Sequence, residues 1–208
     1  MALSDSEIAH LEPIFSAAIQ DGANVLGQML NSEFNSGRIS IKEVTLKDMP
    51  HIFGGSQKII SGIYMQYNLD RKLTDSDLSF SGHVLLTFKI ESAYEIAAIL
   101  TQDLDVPLDK IGGMTDSIFG EIGNVFGTTF LSSLANKSGF VLMPTIPTVI
   151  NYKANAILDY VNARISAKEP TILLIQTNIK NEKLMIDGKF YVLPDDYKSI
   201  IRMFSKTA

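Results

Sequence analysis

The residues best suited to chemistry lie in one stretch near the middle of the chain, "DSIFGEIGNVFGTTF", residues 116–130. Within it, Ser117, Glu121 and Asn124 follow one another at steps of four and three residues. A helix turns about 100° per residue, so all three side chains would lie within a sector of about 60°. A carboxylate on that face can accept hydrogen bonds from a cation, and a carboxamide can hold water through one donor and one acceptor group.

This pair of side chains excludes some reactions and is compatible with one. Neither group is a good nucleophile under ordinary conditions, and glycoside hydrolysis would require a second acid that this face lacks. Phosphoryl hydrolysis demands less, because positioning and electrostatics carry most of its catalysis and an amide side chain can orient the attacking water. The residues alone therefore leave two interpretations open, the ordinary solvated side of an amphipathic helix and a water-positioning face, and indicate nothing more specific.

The composition narrows the classes of function further. The chain has 208 residues, no cysteine and three scattered histidines, which excludes thiol catalysis and cysteine zinc sites and predicts no dedicated metal site. No G-x-S-x-G nucleophile elbow is present. The net charge of −5 disfavours nucleic acid and anionic membranes as partners. A polar, acidic N-terminus and the lack of an apolar run of about 18 residues predict a cytoplasmic protein without a signal peptide or transmembrane helix.

Hydrophobic periodicity and turn signals predict helices and strands in an order that restarts halfway along the chain. In the first half, the pattern predicts a helix at 5–35, strands at 38–44, 57–69 and 78–90, and a short helix at 91–104. A polar turn at 70–77 separates the second and third strands. In the second half, the pattern predicts a long helix at 109–136, a strand at 140–150 and a helix at 151–166. Two strands at 169–179 and 182–193 and a final helix at 194–205 follow.

Sliding the chain over itself supports this restart. Several residues coincide in one order and nearly one register, at shifts of 100 and 106 residues: Asp21 with Glu121, Asn24 with Asn124, Gly27 with Gly127, and Gly82 with Gly188. We interpret this as an internal duplication, with repeats at about 5–105 and 106–206. Two such repeats predict one pseudo-two-fold domain over 1–208, with a pooled sheet and its helices.

Three glycines form a further side of the long helix, at positions 120, 123 and 127. Glycine costs about 1 kcal/mol relative to alanine inside a helix, so three of them require a reason. One explanation is close packing of a neighbouring helix. Another is that a second macromolecule approaches the bare backbone, and a third is that Gly120, Gly123 and Gly127 form a homodimer seam.

The chain resembles the CheC/CheX/FliY family of chemotaxis phosphatases, which dephosphorylate the response regulator CheY. The family signature is Asp or Ser, three residues, Glu, two residues, Asn, twenty-two residues and Pro, and it is fitted without a gap by Ser117, Glu121, Asn124 and Pro147. The match in length is to the stand-alone CheC type. The resemblance implies an α+β fold of two αβ repeats around a six-stranded, mainly antiparallel sheet with long helices on one side.

The resemblance also implies roles for these residues. Asn124 would orient the hydrolytic water beside the phospho-aspartate of a CheY-like receiver, and Glu121 would pair with the receiver's active-site lysine. Ser117 would make a supporting contact, and Pro147 would shape the chain under the site. The Mg²⁺ ion of such a reaction belongs to the receiver, so the protein is expected to carry no cofactor of its own.

The first repeat keeps only part of the pattern. Its equivalent positions are Ala17, Asp21, Asn24 and Lys47, with Pro50 three places beyond the expected proline. Asn24 is intact, whereas Asp21 is one methylene shorter than glutamate and Ala17 cannot hydrogen-bond. Asp21 and Asn24 are therefore a candidate second, degenerate site, and the alternative is a relict of duplication on an exposed helix face.

Alternatives for function and partners stay open at the level of sequence. The face could grip a phosphorylated receiver without hydrolysing it, as a non-catalytic or flagellar-switch-like interaction module would. The chain could be a monomer or a homodimer. In some CheC relatives the region corresponding to 151–166 receives the deamidase CheD, although a helix packed on its own sheet explains its apolar stripe equally well, at Ala154, Ile157, Leu158 and Val161.

Overall fold

The computed structural model describes residues 3–45, 47–52, 57–69, 80–102, 108–165 and 171–204. Six helices and an antiparallel sheet make up this part of the chain, which confirms the predicted α+β class. Among the helices of these ranges, none is long and apolar enough to cross a membrane.

The elements of the first half follow one another in an order that the second half repeats. The first half contains α1 (Asp5–Met29), β1 (Asn35–Ser36), β2 (Ser40–Thr45), α2 (Met49–Ile52), β3 (Ile59–Leu69), β4 (Ser81–Lys89) and α3 (Ile90–Thr101). The second half contains α4 (Leu108–Ser138), β5 (Leu142–Pro144), β6 (Thr148–Lys153), α5 (Ala154–Asn162), β7 (Thr171–Asn181), β8 (Ile186–Pro194) and α6 (Tyr197–Phe204). Each half thus runs helix, two short strands, short helix, two long strands, helix.

The sheet interleaves the two halves. Its order is β1/β2–β7–β8–β4–β3–β5/β6, because β1 and β2 share the outer edge of β7 while β5 and β6 share the outer edge of β3. The eight strands therefore occupy six positions, as the six-stranded expectation requires. At the centre, β4 pairs with β8, and the pairs Gly82–Pro194 and Phe88–Gly188 exchange under a shift of 106 residues.

The two faces of the sheet carry separate hydrophobic cores. The larger core lies between one face and α1, α3, α4 and α6, and it buries the aromatic rings of Phe119, Phe126 and Phe130. The smaller core lies between the other face and the short helices α2 and α5. It buries the apolar stripe of α5, at Ala154, Ile157, Leu158 and Val161. Packing within the chain therefore accounts for that stripe.

Helix α1 is fixed both at its start and along its length. Ser4 and Glu7 form a capping box, in which the Ser4 amide donates to the Glu7 carboxylate at 2.8 Å and the Glu7 amide donates to the Ser4 hydroxyl at 3.3 Å. In the larger core the ring of Phe15 lies 6.4 Å from that of Phe130 on α4, centroid to centroid. The two long helices are thus direct neighbours on the same face of the sheet.

The two long helices end differently. The predicted end of α1 at residue 35 is wrong, because Asn31 adopts a φ of 47° and the Ser32 amide donates back to the Gly27 carbonyl at 3.0 Å. Helix α4 continues to Ser138 and stops before Gly139, whose φ is +73°. After alignment of the repeats, α4 is therefore about two turns longer than α1 at its C-terminal end.

Two further predicted boundaries are wrong. The predicted strand 140–150 is interrupted between β5 and β6, where Pro147 has no amide hydrogen to donate to a ladder. The predicted helix 151–166 begins only at Ala154, because the three preceding residues continue β6 and pair with β3. The four-residue helix α2 was not predicted, and the predicted turn at 70–77 lies outside the described residues.

Candidate functional site

Helix α4 presents Ser117, Glu121 and Asn124 on one exposed side, called the α4 face below. Because the opposite side of the helix is buried, the rotation of α4 about its axis is determined and these polar side chains point to solvent. The side chains that anchor the helix in the larger core are Phe119, Ile122, Phe126 and Phe130.

A close contact with the sheet sets the height of α4 at the site. A Cβ atom at Gly123 would collide with the Ile63 side chain of β3 and would lie 3.1 Å from the Cβ atom of Pro147. Pro147 belongs to the link between β5 and β6, so it lies under the glycine side of α4 rather than on the α4 face. The helix backbone thus rests directly on β3 and on this proline.

The glycine side of α4 is largely occupied by the chain's own sheet. A Cβ atom at Gly127 would collide with the thioether end of Met65, another β3 residue. Of the three glycines, Gly120 alone has no neighbour within 4 Å of its Cβ position among the described residues outside its own helix backbone. Packing within the chain therefore explains Gly123 and Gly127, and the alternatives in which these two glycines meet a second macromolecule or form a homodimer seam are wrong. The neighbour is the strand β3, however, and not the helix that was expected.

Two hydrogen bonds further fix the backbone around the α4 face. The Asn151 side-chain amide of β6 donates to the Asp116 carboxylate at 2.6 Å, which ties the edge of the sheet to the first half of α4. The Thr128 hydroxyl donates to the main-chain carbonyl of Asn124 at 2.6 Å. Sequence analysis missed Asp116 and Asn151, because no periodicity or motif signals a side-chain pair 35 residues apart.

The polar groups of the α4 face are available to a partner. Across the described ranges, no hydrogen bond engages the side chain of Ser117, Glu121 or Asn124. Glu121 and Asn124 are three positions apart, which corresponds to about 4.5 Å along the helix axis. A docking molecule would therefore meet a carboxylate that accepts from a cation and an amide that both donates and accepts.

The equivalent positions of α1, Ala17, Asp21 and Asn24, form the first-copy face, and its polar groups are engaged. The Ser133 hydroxyl, from the C-terminal extension of α4, donates to the Asp21 carboxylate at 2.7 Å. The Gln20 side-chain amide donates to the Asn24 side-chain oxygen at 2.8 Å. The two faces thus carry similar residue types in different states of hydrogen bonding.

The remaining positions of the first-copy pattern are also arranged differently. Lys47 is exposed just after β2. Pro50 lies within α2, which packs on the opposite face of the sheet from α1, whereas Pro147 lies directly under α4. The proline that supports the α4 face therefore has no counterpart in Pro50.

A second polar cluster, which sequence analysis missed, lies among the central strands. The Tyr64 hydroxyl is 2.7 Å from Nδ1 of His83, Nε2 of His83 is 3.0 Å from the Asp195 carboxylate, and the Ser81 hydroxyl donates to Asp195 at 2.6 Å. Burial raises the pKa of the Tyr64 phenol well above its usual value. His83 is 1% exposed and both of its ring nitrogens are engaged, so this cluster supports the strands.

Known proteins resemble this chain in sequence and in fold. No family model matches the chain. The CheY-P phosphatase CheC of Bacillus subtilis (strain 168) is 19% identical to it over 204 residues, which cover 97% of this chain and 94% of that protein. The crystal structure of Thermotoga maritima FliY superposes with a TM-score of 0.71 at 17% identity, and the match covers 100% of both chains.

A chain of the FliG–FliM complex from H. pylori is also similar, with a TM-score of 0.61, 10% identity, and coverage of 96% of this chain and 100% of that one. At such identities the structural matches establish the shared fold. The match to CheC spans nearly the whole chain and includes the helix that carries Glu121 and Asn124. The resemblance to the CheC/CheX/FliY family is therefore confirmed.

Proposed function

We propose that this protein is a chemotaxis-type phosphatase that hydrolyses the phospho-aspartate of a CheY-like receiver in the cytoplasm. The observation that carries the proposal is the pair Glu121 and Asn124, exposed on one helix face and free of hydrogen bonds within the described part of the chain. The similarity to a CheY-P phosphatase along the chain's length supports the same conclusion.

The α4 face docks the receiver. The Glu121 carboxylate accepts a charge-assisted hydrogen bond from the receiver's active-site lysine, and such bonds are stronger than neutral ones. Ser117, one turn earlier, adds a supporting contact. Pro147 acts from below, because its contact with Gly123 fixes the height of the helix that enters the receiver site.

Asn124 positions the water for hydrolysis. Its amide oxygen accepts one hydrogen bond from the water and its amide group donates another to the reacting centre. The water oxygen forms a bond to phosphorus while the bond from phosphorus to the aspartate oxygen breaks, and aspartate leaves as a carboxylate. The water protons pass to phosphate and solvent, and a Mg²⁺ ion held by the receiver would supply neutralisation of the charge on the phosphoryl group.

The alternative is a module that binds the phosphorylated receiver without hydrolysing it. The fold similarity to a chain of a FliG–FliM complex favours this candidate, because the same fold serves there in an assembly. The two candidates differ in what Asn124 does: hydrolysis requires its amide, whereas binding needs only the shape and charge of the face.

Phosphate release from a CheY-type receiver charged with acetyl phosphate distinguishes the candidates. The wild-type protein should accelerate release, and Asn124→Ala should reduce the acceleration by about 100-fold, as loss of a positioned polar group in a catalytic site does. Glu121→Gln keeps the shape but removes the charge, so it should raise the receiver concentration at half-maximal rate by about 10-fold. Asn24→Ala is the matched control in the first repeat and should change the rate by less than about twofold.

Three outcomes would change the conclusion. Binding of the phosphorylated receiver without faster phosphate release would establish the non-catalytic module. Equal losses in Asn124→Ala and Asn24→Ala would mean that both faces work. Full activity of Asn124→Ala would refute the role of this amide.

A further inference from the structure

The Gln20 side chain forms hydrogen bonds to β1 and to the residue just before it. Its amide donates to the Phe34 carbonyl at 3.1 Å, and its side-chain oxygen accepts from the amide and the hydroxyl of Ser36 at 2.8 and 2.9 Å. The same amide nitrogen donates to the Asn24 side-chain oxygen at 2.8 Å. Gln20 therefore links the first-copy face to the edge of the sheet.

These contacts make Gln20 a rigid donor. A glutamine on an open helix surface interacts weakly with an asparagine four residues later. Here three bonds to the segment 34–36 hold the donor in place before Asn24 is engaged, so less side-chain freedom is lost when the bond forms. The bond holds the Asn24 carboxamide against Gln20 and takes up one of the two acceptor positions of the oxygen that a water-positioning amide presents to water.

The second repeat lacks this donor. The position that aligns with Gln20 is Gly120, which has no side chain, and no described group outside its own helix backbone lies within 4 Å of its Cβ position. The carboxamide of Asn124 is accordingly free within the described ranges. The asparagine is identical in the two repeats, whereas the residue four positions earlier is glutamine in the first and glycine in the second.

We propose that Gln20 is a positioning residue that keeps the first-copy face inactive by holding Asn24 in an intramolecular hydrogen bond. This inference rests on the proposed function of the α4 face, and it extends that function to the question of which repeat works. Ser133 reinforces the effect, because it engages Asp21 from an α4 extension that has no equivalent beyond the end of α1.

The test isolates residue 20 from the other differences between the faces. The background combines Ala17→Ser and Asp21→Glu, which restore the second-copy residues, with Ser133→Ala and Asn124→Ala, which free the carboxylate and silence the α4 face. Into this background we would introduce Gln20→Met, which keeps the side-chain length but cannot donate. Gln20→Ala serves as a second variant without a donor, and thermal unfolding checks that each protein is folded.

The background should release phosphate from the charged receiver no faster than Asn124→Ala alone. Adding Gln20→Met or Gln20→Ala should raise the rate by about 3- to 10-fold, which corresponds to the net strength of one neutral hydrogen bond. Equal rates with and without the donor, whether both low or both high, would overturn the proposal.

Two further measurements keep this result separate from the fate of the proposed function. The wild-type protein is assayed in parallel, and its failure to accelerate phosphate release would overturn both proposals together. NMR relaxation of the side-chain amide groups reads the hydrogen bond directly: the Asn24 amide should be more rigid than that of Asn124, and Gln20→Met should abolish the difference. An Asn24 amide as mobile as Asn124 in the wild-type protein would overturn the role of Gln20 alone.

Discussion

Alanine substitutions along the glycine side of α4 test whether the helix rests on β3 as described. At Gly120 the added methyl group meets no described residue within 4 Å outside its own helix backbone, so Gly120→Ala should stabilise the protein by about 1 kcal/mol through helix propensity. At Gly123 the methyl group would collide with Ile63 and press on Pro147. Overpacking of this kind costs about 1–3 kcal/mol, which offsets or exceeds the propensity gain.

The neighbouring side chains determine how the three variants rank in stability. Ile63 is β-branched and buried, and the Pro147 ring is stiff, so neither yields easily to a methyl group at Gly123. Gly127 faces the thioether end of Met65, which is flexible and can move aside. The expected stability is therefore highest for Gly120→Ala, lower for Gly127→Ala and lowest for Gly123→Ala.

Thermal unfolding measures this order. The variants at Gly120 and Gly123 should differ by about 1–3 kcal/mol, which corresponds to roughly 2–12 °C in Tm for a chain of this size. Both substitutions add the same methyl group to the same helix, so each controls for the other. If Gly123→Ala raised Tm as much as Gly120→Ala does, the contact between α4, Ile63 and Pro147 would be refuted.

Three further predictions concern hydrogen bonds and buried hydroxyl groups elsewhere in the fold and beside the α4 face. The buried hydroxyl of Tyr67 has no hydrogen-bond partner among the described residues, so Tyr67→Phe should leave stability unchanged or raise it by up to about 1 kcal/mol. Tyr64→Phe, by contrast, should lower stability by about 1 kcal/mol because it removes the bond to His83. A urea unfolding experiment that ranked the two variants in the reverse order would contradict this. Burial raises the pKa of the Tyr67 phenol above its unfolded value near 10, so the folded state holds this proton more tightly than the unfolded state does. The free energy of unfolding should therefore fall as pH rises above about 10, and it should fall less steeply in Tyr67→Phe. Asn151→Ala removes the bond to Asp116 and should lower the free energy of unfolding by about 0.5–1.5 kcal/mol, and an unchanged urea midpoint would show that this exposed bond holds nothing.

The sequence alone predicts those features of the protein that depend on a few neighbouring residues. The apolar stripe of α4 and the exposed positions of Ser117, Glu121 and Asn124 follow from the helical period alone, because burying the stripe leaves one rotation of the helix. The α+β class and the order of elements follow in the same way from alternating periods. The spacing between Asn124 and Pro147 completes the signature on which the resemblance to a family rests, and composition contains no such information.

Non-local contacts decided the rest. The glycine side of α4 is explained by Ile63 and Met65, more than fifty residues earlier in the chain, and a helical wheel contains no information about which element covers a side. The boundary of the predicted helix 151–166 moved because three residues gain more from pairing with β3 than from another helical turn. The burial of His83 with Asp195 joins residues 112 positions apart.

The difference between the two repeats shows the same division most clearly. The sequence by itself determined that both long helices carry an asparagine at equivalent positions, Asn24 and Asn124, and that the first repeat has the poorer pattern around it. Only the tertiary structure decided that Gln20, held by β1, engages one of these amides while the other has no hydrogen-bond partner in the part of the chain that the structure describes. The reason is physical: a side chain's type is local, but whether its hydrogen-bonding groups are already engaged depends on every segment that folds against it.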